Sequence, residues 1–306
     1  MSLNNLPKVT VALSALNEGA NIERLLNSVL MQIEEGFILD KIVVASDGST
    51  DNTVEIASSL DPEKILVNNY KERKGQAIRM NEIYNNLDTD ILVQTDADIC
   101  FETKYVIRDL VKELVSDNQV MMCAGHAEPT QGKTFTERAV RCTFDAYADF
   151  KTTLKDGHNI FSVHGCILAF RRSFVEKMRL MESGIGNDLQ CYLLCVKEGY
   201  KYRYVPSALV SFRLPTSIKD HIKQNTRQHE VRRRLHNEFD EALINKEMLV
   251  PKFLFIKSTL KQALKNPIMA TYIFMLNKFC YLNSKFFGKN ISGEWQIADS
   301  TKTISE

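Results

Sequence analysis

Asp96 and Asp98, in the segment Thr95-Asp96-Ala97-Asp98, are the side chains of this sequence best suited by type and spacing to chemistry. In extended or turning backbone, carboxylates at i and i+2 can face one side. Two hard oxygen ligands suit Mg²⁺ or Mn²⁺, ions that also bind the phosphate oxygens of a substrate. The same spacing is common in solvated turns, so position has to decide. Here the pair directly follows the apolar run Ile91-Leu92-Val93-Gln94-Thr95. Asn17-Glu18 and Asp47-Gly48-Ser49-Thr50-Asp51 also follow apolar runs. Each has a plain structural reading, because Asp, Gly and Ser form turns, and Ser49 or Asp51 can cap the next helix. Asp188 follows Gly186-Asn187 and opens a helical segment, where a carboxylate can serve as a general base or simply as a cap.

The elements that must position these residues alternate. Val9–Leu16, Lys41–Ala45, Ile65–Val67 and Ile91–Thr95 read as short buried strands, rich in β-branched residues. Between them, Asn21 is placed to cap a helix carrying Ile22, Leu25, Leu26, Val29 and Leu30, and a further helix carries Val54, Ile56 and Ala57. Another helix runs from about Gly75 to Asn86. Strand and helix in alternation predict right-handed βαβ units and a parallel sheet, with ligands in the crevice beyond the carboxyl ends of the strands. Asn17, Asp47 and Asp96 all fall there. The stretch 99–215 reads as mixed, with strands at Val120–Ala124, Cys166–Phe170 and Tyr202–Pro206 and a helix over Asn187–Lys197. From about 217 the chain reads as helical and basic.

The 306 residues suffice for one large α/β domain or two smaller ones, and 44% hydrophobic residues can build a sizeable core. The net charge of +1 names no partner. Seven cysteines without a C-x-x-C pair carry no zinc signature and read as buried thiols; Cys191 and Cys195, four apart on a helix, read as core. Met1 to Lys8 shows no charged-then-apolar leader, and no run reaches the roughly 18 apolar residues of a membrane span, so the expected location is cytoplasmic.

Taken in order, Leu13-Ser14-Ala15-Leu16-Asn17-Glu18, Ser46-Asp47-Gly48-Ser49-Thr50-Asp51, Lys74-Gly75-Gln76-Ala77 with Asn81, and Thr95-Asp96-Ala97-Asp98 resemble family 2 glycosyltransferases with the GT-A fold. Gly165 to Arg171-Arg172 resembles the segment beside the donor sugar, and Gly186-Asn187-Asp188-Leu189 the acceptor motif. Gln224-Asn225-Thr226-Arg227-Gln228 is similar to a Q-x-x-R-W motif, and Glu294-Trp295 with Ser300-Thr301-Lys302 to a C-terminal segment. The resemblance implies an α/β GT-A domain over 1–236 and a helical extension over 237–306. It implies an inverting transfer from a nucleoside-diphosphate sugar, in all expectation a UDP-sugar, to a glycan or lipid-linked acceptor hydroxyl. Asp47 would meet the base with help from Ala15, Leu16, Asn17 and Glu18. Lys74, Gly75 and Ala97 would line the nucleotide and Gly165 the donor sugar. Asp98 would ligate Mg²⁺ or Mn²⁺, and Asp96 the ribose or the metal. Asp188 would be the general base, and Arg227 with Gln224 would grip the diphosphate. His164 reads as an interior histidine, with contact to acceptor or metal as the alternative. Three departures stand out: Ser46 where a second Asp is common, Asn187 where Glu is, and Gln228 in place of Trp. The last argues against a processive polysaccharide synthase. Two other readings stay open, a non-catalytic sugar-nucleotide-binding scaffold and a nucleotidylyltransferase; the second lacks the Gly-rich N-terminal phosphate loop it needs.

Residues 251–290 hold seven lysines and no acid, with Lys257, Lys261 and Lys265 on one helical face and large apolar residues between them. Such a segment suits peripheral attachment to an anionic leaflet on the cytoplasmic face of a membrane. It suits equally a helical hairpin packed on the catalytic domain or on a second subunit of a homo-oligomer. No motif for nucleic acid accompanies the charge.

Overall fold

A computed structural model describes residues 6–181 and 186–287. The segment Glu294 to Lys302 lies outside the described residues. Eight strands form one sheet in the order β3-β2-β1-β4-β7-β6-β8-β5. They are β1 (Lys8–Ala15), β2 (Ile38–Asp47), β3 (Ile65–Tyr70), β4 (Ile91–Thr95), β5 (Ile99–Phe101), β6 (Val120–Pro129), β7 (Ile167–Arg171) and β8 (Lys201–Phe212). The first four pair in parallel, as the alternating pattern requires, through helices α1 (Ile22–Leu30), α2 (Thr53–Leu60) and α3 (Gln76–Asn85). The sheet as a whole is mixed, because β7 runs antiparallel to both β4 and β6 and β5 antiparallel to β8. That reversal carries the site: pairing Thr95 with Ile167 sets the start of β7 against the end of β4.

The expected elements recur with longer bounds and some corrections. Asn21 occupies the cap position of α1 but makes no side-chain cap bond; its amide donates to Glu18 Oε2 at 3.0 Å instead. β8 does not stop at Pro206. It continues through a bulge, where Gly125 pairs with Val205 and the next residue, His126, with Leu209. Pro206 has no N–H to give a ladder, and the bulge is where a strand can afford that. Helix α5 (Phe135–Lys151) emerges from the stretch read as mixed, closed by a Thr134–Glu137 capping box.

Two apolar cores cover the faces of the sheet. One packs α1, α2 and α4 (Val106–Ser116) through Ile22, Leu25, Val29, Ile107 and Leu110. The other packs α3, the short α6 (Arg172–Val175) and α7 (Asn187–Lys197) through Met80, Phe174 and Cys191. All seven thiols are unpaired and six are buried, Cys191 and Cys195 among them. Beyond residue 217, α8 (Ile218–Leu235), α9 (Glu241–Glu247), α10 (Lys252–Lys265) and α11 (Pro267–Phe287) fold back, with α10 and α11 against α5 and α11 against α8.

The end of β2 is tied to α3 by a buried ion pair. Arg79 Nε donates to Asp47 Oδ1 at 2.7 Å, with both side chains within 3% of full burial. The guanidinium also donates to Glu82 and to the carbonyl of Glu72, and lies 3.6 Å over the Tyr70 ring. Its partners satisfy the fork, which is what makes a buried charge tolerable. Arg79→Leu leaves the Asp47 carboxylate buried without its counterion and is expected to cost about 3 kcal/mol, read as a lower denaturation midpoint at unchanged m-value. A loss under about 0.5 kcal/mol would mean the pair contributes no more than a surface bridge.

Candidate active site

The strand ends build the site in layers. Asn17, at the end of β1, adopts φ 53°, a left-handed conformation Asn tolerates better than most residues. Its Oδ1 accepts from Thr50 N at 2.8 Å, and its own N–H donates to Ser49 Oγ at 3.1 Å. Glu18 N donates to Thr53 Oγ1 and Gly19 N to Asp51 Oδ2. Asn17 therefore clamps the β1 loop to the β2 loop, and its side chain is spent there. The cap position of α2 is Asn52, which makes no side-chain cap bond; Asp51, one residue earlier, accepts from Thr53 N, the first N–H of the helix.

Asp47 holds the next loop. Besides Arg79, its carboxylate accepts from Lys74 N at 2.8 Å and Gly75 N at 2.7 Å. Lys74 thus contributes its backbone, with its side chain exposed. Gly75 has φ 97° and ψ 155°, a region essentially reserved for glycine, and this turn starts α3 with Gln76 facing the crevice. Gln76 Nε2 donates to Asp96 Oδ1 at 3.2 Å.

Asp96 and Asp188 converge over Gly165. A methyl group on Gly165 would sit 3.7 Å from Asp96 Oδ2 and 4.0 Å from Asp188 Oδ2. Asp188 lies in the first turn of α7, which begins at Gly186 with φ 75° and Val231 packed where a side chain would go. N–H groups of Gly165, Asp188 and Leu189 favour its charged form, but burial outweighs them and the carboxyl is pushed up. Burial and then the Asp188 charge raise Asp96 to about 6, against help from Gln76 and Arg227. The thiol of Cys166 is raised by burial first and then by the charges of Asp96, Asp98 and Asp188. Arg227, on α8, is lowered by burial and held up by Asp96 and Asp188.

Two adjoining cavities meet here. One, of about 270 Å³, is lined by Glu18, Asp47, Gly75, Ala97, Asp98 and Gln224 together with Arg73 and Arg213. The other, of about 400 Å³, is lined by Gly165, Asp188, polar Gln94, Asn187 and Arg232, and apolar side chains that include Ile160, Phe161 and Leu189. Gln76, Asp96, His164, Arg227 and Gln228 line both and form the wall between them. Ala15, 1% exposed inside β1, and Asn17 stand behind the first cavity rather than in its lining. His164 lies between Phe144 and Phe212, and burial pushes it down to about 4, so it is neutral near pH 7.

Among the described residues, no three His, Cys, Asp or Glu side chains are placed to share an ion. Asp96 and Asp98 offer two carboxylates to the first cavity. That donor set does not fit an all-protein cage. It fits Mg²⁺ or Mn²⁺ shared with substrate phosphates, which take only one or two protein carboxylates.

Such a crevice at the carboxyl ends of a mixed, mostly parallel sheet is the GT-A glycosyltransferase architecture. The model of Glycosyl transferase family 2 matches residues 10–179, more than half of the chain, and the chain belongs to that family. It is a glycosyltransferase, which disposes of the nucleotidylyltransferase reading. The fold resembles the mannosyltransferase PcManGT from Pyrobaculum calidifontis, solved with GDP-Man and Mn²⁺, at 17% identity and TM-score 0.68 over 93% of this chain and 88% of that one. It also resembles S. aureus TarS 1–349, at 13% identity and TM-score 0.54 over 85% and 73%. A third likeness is glucosyl-3-phosphoglycerate synthase from Mycobacterium tuberculosis with Mg²⁺ and UDP, at 16% identity and TM-score 0.52 over 80% of each chain. No curated protein sequence matches the chain.

Three side chains escaped the sequence reading. Gln76 lay inside a motif already singled out. Arg79 shares the inner face of α3 with Met80 and Ile83, and a charge on an apolar face is a signal. Arg213 pairs with the buried Glu137 of the α5 capping box at 3.0 Å, a partnership no local pattern announces.

The pKa of Asp96 sets a stability test. Raised on folding from 3.8 to about 6, the carboxyl binds its proton more tightly folded than unfolded. The penalty for ionising it grows as pH rises between those values and is complete above them. Asp96→Asn is therefore expected to stabilise the metal-free protein at pH 7.5 by on the order of 1–2 kcal/mol, since the crevice still admits some water, and to change little at pH 4. Thermal melts at the two pH values check this; equal or destabilising shifts at pH 7.5 would contradict it.

Proposed function

We propose that the protein moves a sugar from a nucleoside-diphosphate donor, a UDP-sugar first, to an acceptor hydroxyl with inversion at the anomeric carbon. The carrying observation is the split of the carboxylates between two cavities: Asp98 lines one, Asp188 the other, and Asp96 the wall they share. The first cavity takes the nucleotide. Asp47, Glu18 and the backbone of Ala15, Lys74, Gly75 and Ala97 shape the base and ribose end. Asp98 and Asp96 would hold Mg²⁺ or Mn²⁺, which when bound would supply positive charge against that of the departing diphosphate. Arg227 and Gln224, on α8, reach the same oxygens, and a planar guanidinium suits them. Gly165 leaves room for the donor sugar between the two acids.

Asp188 stands on the opposite side and takes the acceptor proton. The acceptor oxygen bonds to the anomeric carbon as the bond to the diphosphate breaks, and the electron pair leaves with the diphosphate. One in-line displacement inverts the centre. Burial raises the pKa of Asp188 toward working pH, which suits a general base. Two outcomes separate the roles. Asp98→Asn is expected to abolish Mn²⁺-dependent binding of UDP-glucose in calorimetry; unchanged affinity would refute the metal role. Asp188→Asn is expected to keep that binding and lose turnover by about 10²- to 10⁴-fold, and near-normal turnover would refute the base.

Residues 1–236 form the catalytic unit in this reading and 237–306 the attachment region. Helix α10 is built inside out: it buries Ser258 and Gln262 and exposes Phe253 (74%), Ile256, Leu260 and Leu264 (85%). Lys252, Lys257 and Lys265 are exposed among them, while Lys261 pairs with Asp149 at 2.7 Å. Among the described residues no helix is long and apolar enough to cross a membrane. An apolar face studded with lysines fits an anionic lipid surface, at roughly 1 kcal/mol per nearby Lys. This supports peripheral attachment at the cytoplasmic face and a lipid-linked acceptor. The protein is expected to float with anionic liposomes, less so at high salt. Remaining at the bottom with anionic and neutral lipid alike, while eluting as a dimer, would assign the face to a second subunit.

A further inference from the structure

Resting on that reading of Asp188, the geometry points to an acceptor of a particular kind: an amphiphile whose hydroxyl meets Asp188 and whose apolar chain leaves the second cavity toward α10. The cavity is mixed: besides Asp188 and the wall residues it carries polar Asn187 and Arg232, and an apolar part that includes Tyr147, Phe161, Leu189 and Met248. A mixed lining suits an amphiphile: the polar residues can meet a hydroxyl-bearing head, and the apolar ones match an alkyl or isoprenoid chain that a wholly polar acceptor would leave without a partner.

The apolar lining does not stop at the cavity. Tyr147 and Phe161 both lean on Phe150, with ring centroids 5.0 and 5.4 Å away, and Phe255 of α10 leans on the same ring at 6.5 Å. Phe150 is 1% exposed, while Tyr147 and Phe255 are 41% and 43% exposed. The three outer rings thus share one buried support and form a continuous aromatic strip from the cavity to the exposed face of α10. A second border runs alongside. Met248 lines the cavity, its neighbour Leu249 is 71% exposed, and Phe253 follows at the start of α10. At both edges, then, the apolar lining opens onto the face that carries the lysines. A chain leaving along the strip stays out of water for its whole path when that face lies on a lipid surface, which a soluble oligosaccharide acceptor would not need.

The test uses the full-length protein and a dodecyl maltoside carrying a diazirine on its alkyl chain, with adducts mapped by mass spectrometry. Adducts are expected on peptides holding Tyr147, Phe161, Met248 and Phe255, removed by excess dodecyl maltoside and not by maltose. Phe161→Ser is expected to cut labelling of the cavity peptides about tenfold, as lost aromatic burial implies, with Mn²⁺–UDP-glucose affinity within about twofold of wild type. Adducts confined to the outer face of α10 and α11, or equal competition by maltose, would overturn the inference. Calorimetry with Mn²⁺ and UDP-glucose keeps the two readings apart. Nucleotide binding with an unlabelled cavity sinks the amphiphile alone; a labelled cavity without nucleotide binding sinks the donor assignment alone.

Discussion

Crowding of acids at the carboxyl ends of the strands is the constraint around which this molecule is arranged. The charges of Asp96, Asp98 and Asp188 all act on Cys166, and Asp188 and Glu18 both act on Asp96. Held in a crevice, like charges oppose one another and oppose their own burial. The protein offsets this only in part, with Gln76 and Arg227 toward Asp96 and three N–H groups toward Asp188. The remainder favours positive charge in the crevice, which the proposed divalent ion would supply. Asp47 shows the contrast. Its carboxylate meets Arg79 and two backbone N–H groups and is fully occupied with holding a loop.

The scaffold keeps those acids in place by connections of different range. The antiparallel pairing of β4 with β7 brings Gly165 to Asp96, and glycine there leaves the gap between Asp96 and Asp188 open. Gly186 lets α7 begin against Val231 of α8, so Asp188 and the helix bearing Arg227 are set in one contact. The division into two cavities then follows. Both cavities have mixed linings, with Arg73 and Arg213 in the first and Arg232 in the second, and Asp96 and Arg227 stand in the wall they share.

Local pattern carried the first half of the fold. The β-branched runs and helical spacing of residues 9–95 yield four parallel strands, and the acids after them fall where ligands bind. The same reasoning singled out Asp96 and Asp98, the resemblance singled out Asp188, and the structure brings Asp96 and Asp188 together over Gly165. It failed where long-range pairing rules. β7 reads as one more buried strand, and nothing local reveals that it runs backward. α5 was missed although Thr134 and Glu137 spell its capping box, because its apolar positions are interrupted by charges. Pro206 reads as a strand end, and only the bulge opposite Gly125 lets the strand continue. Asn17 and Lys74 sit where the sequence puts them, yet their hydrogen bonds serve loops, which depends on neighbours 30 or so residues away. The inside-out character of α10 needed the structure, since a basic apolar helix reads the same with either face inward.

Proton release on donor binding tests the electrostatic account most directly. Asp96 is half-protonated near pH 6, and a cation bound beside it must expel that proton. Mn²⁺ and UDP-glucose, whose diphosphodiester does not titrate in this range, can be titrated calorimetrically at pH 6 in buffers of different ionisation enthalpy. The account predicts release of roughly half a proton per site at pH 6, falling toward zero at pH 8, and abolished in Asp96→Asn. Binding heats at pH 6 that do not depend on the buffer would contradict it.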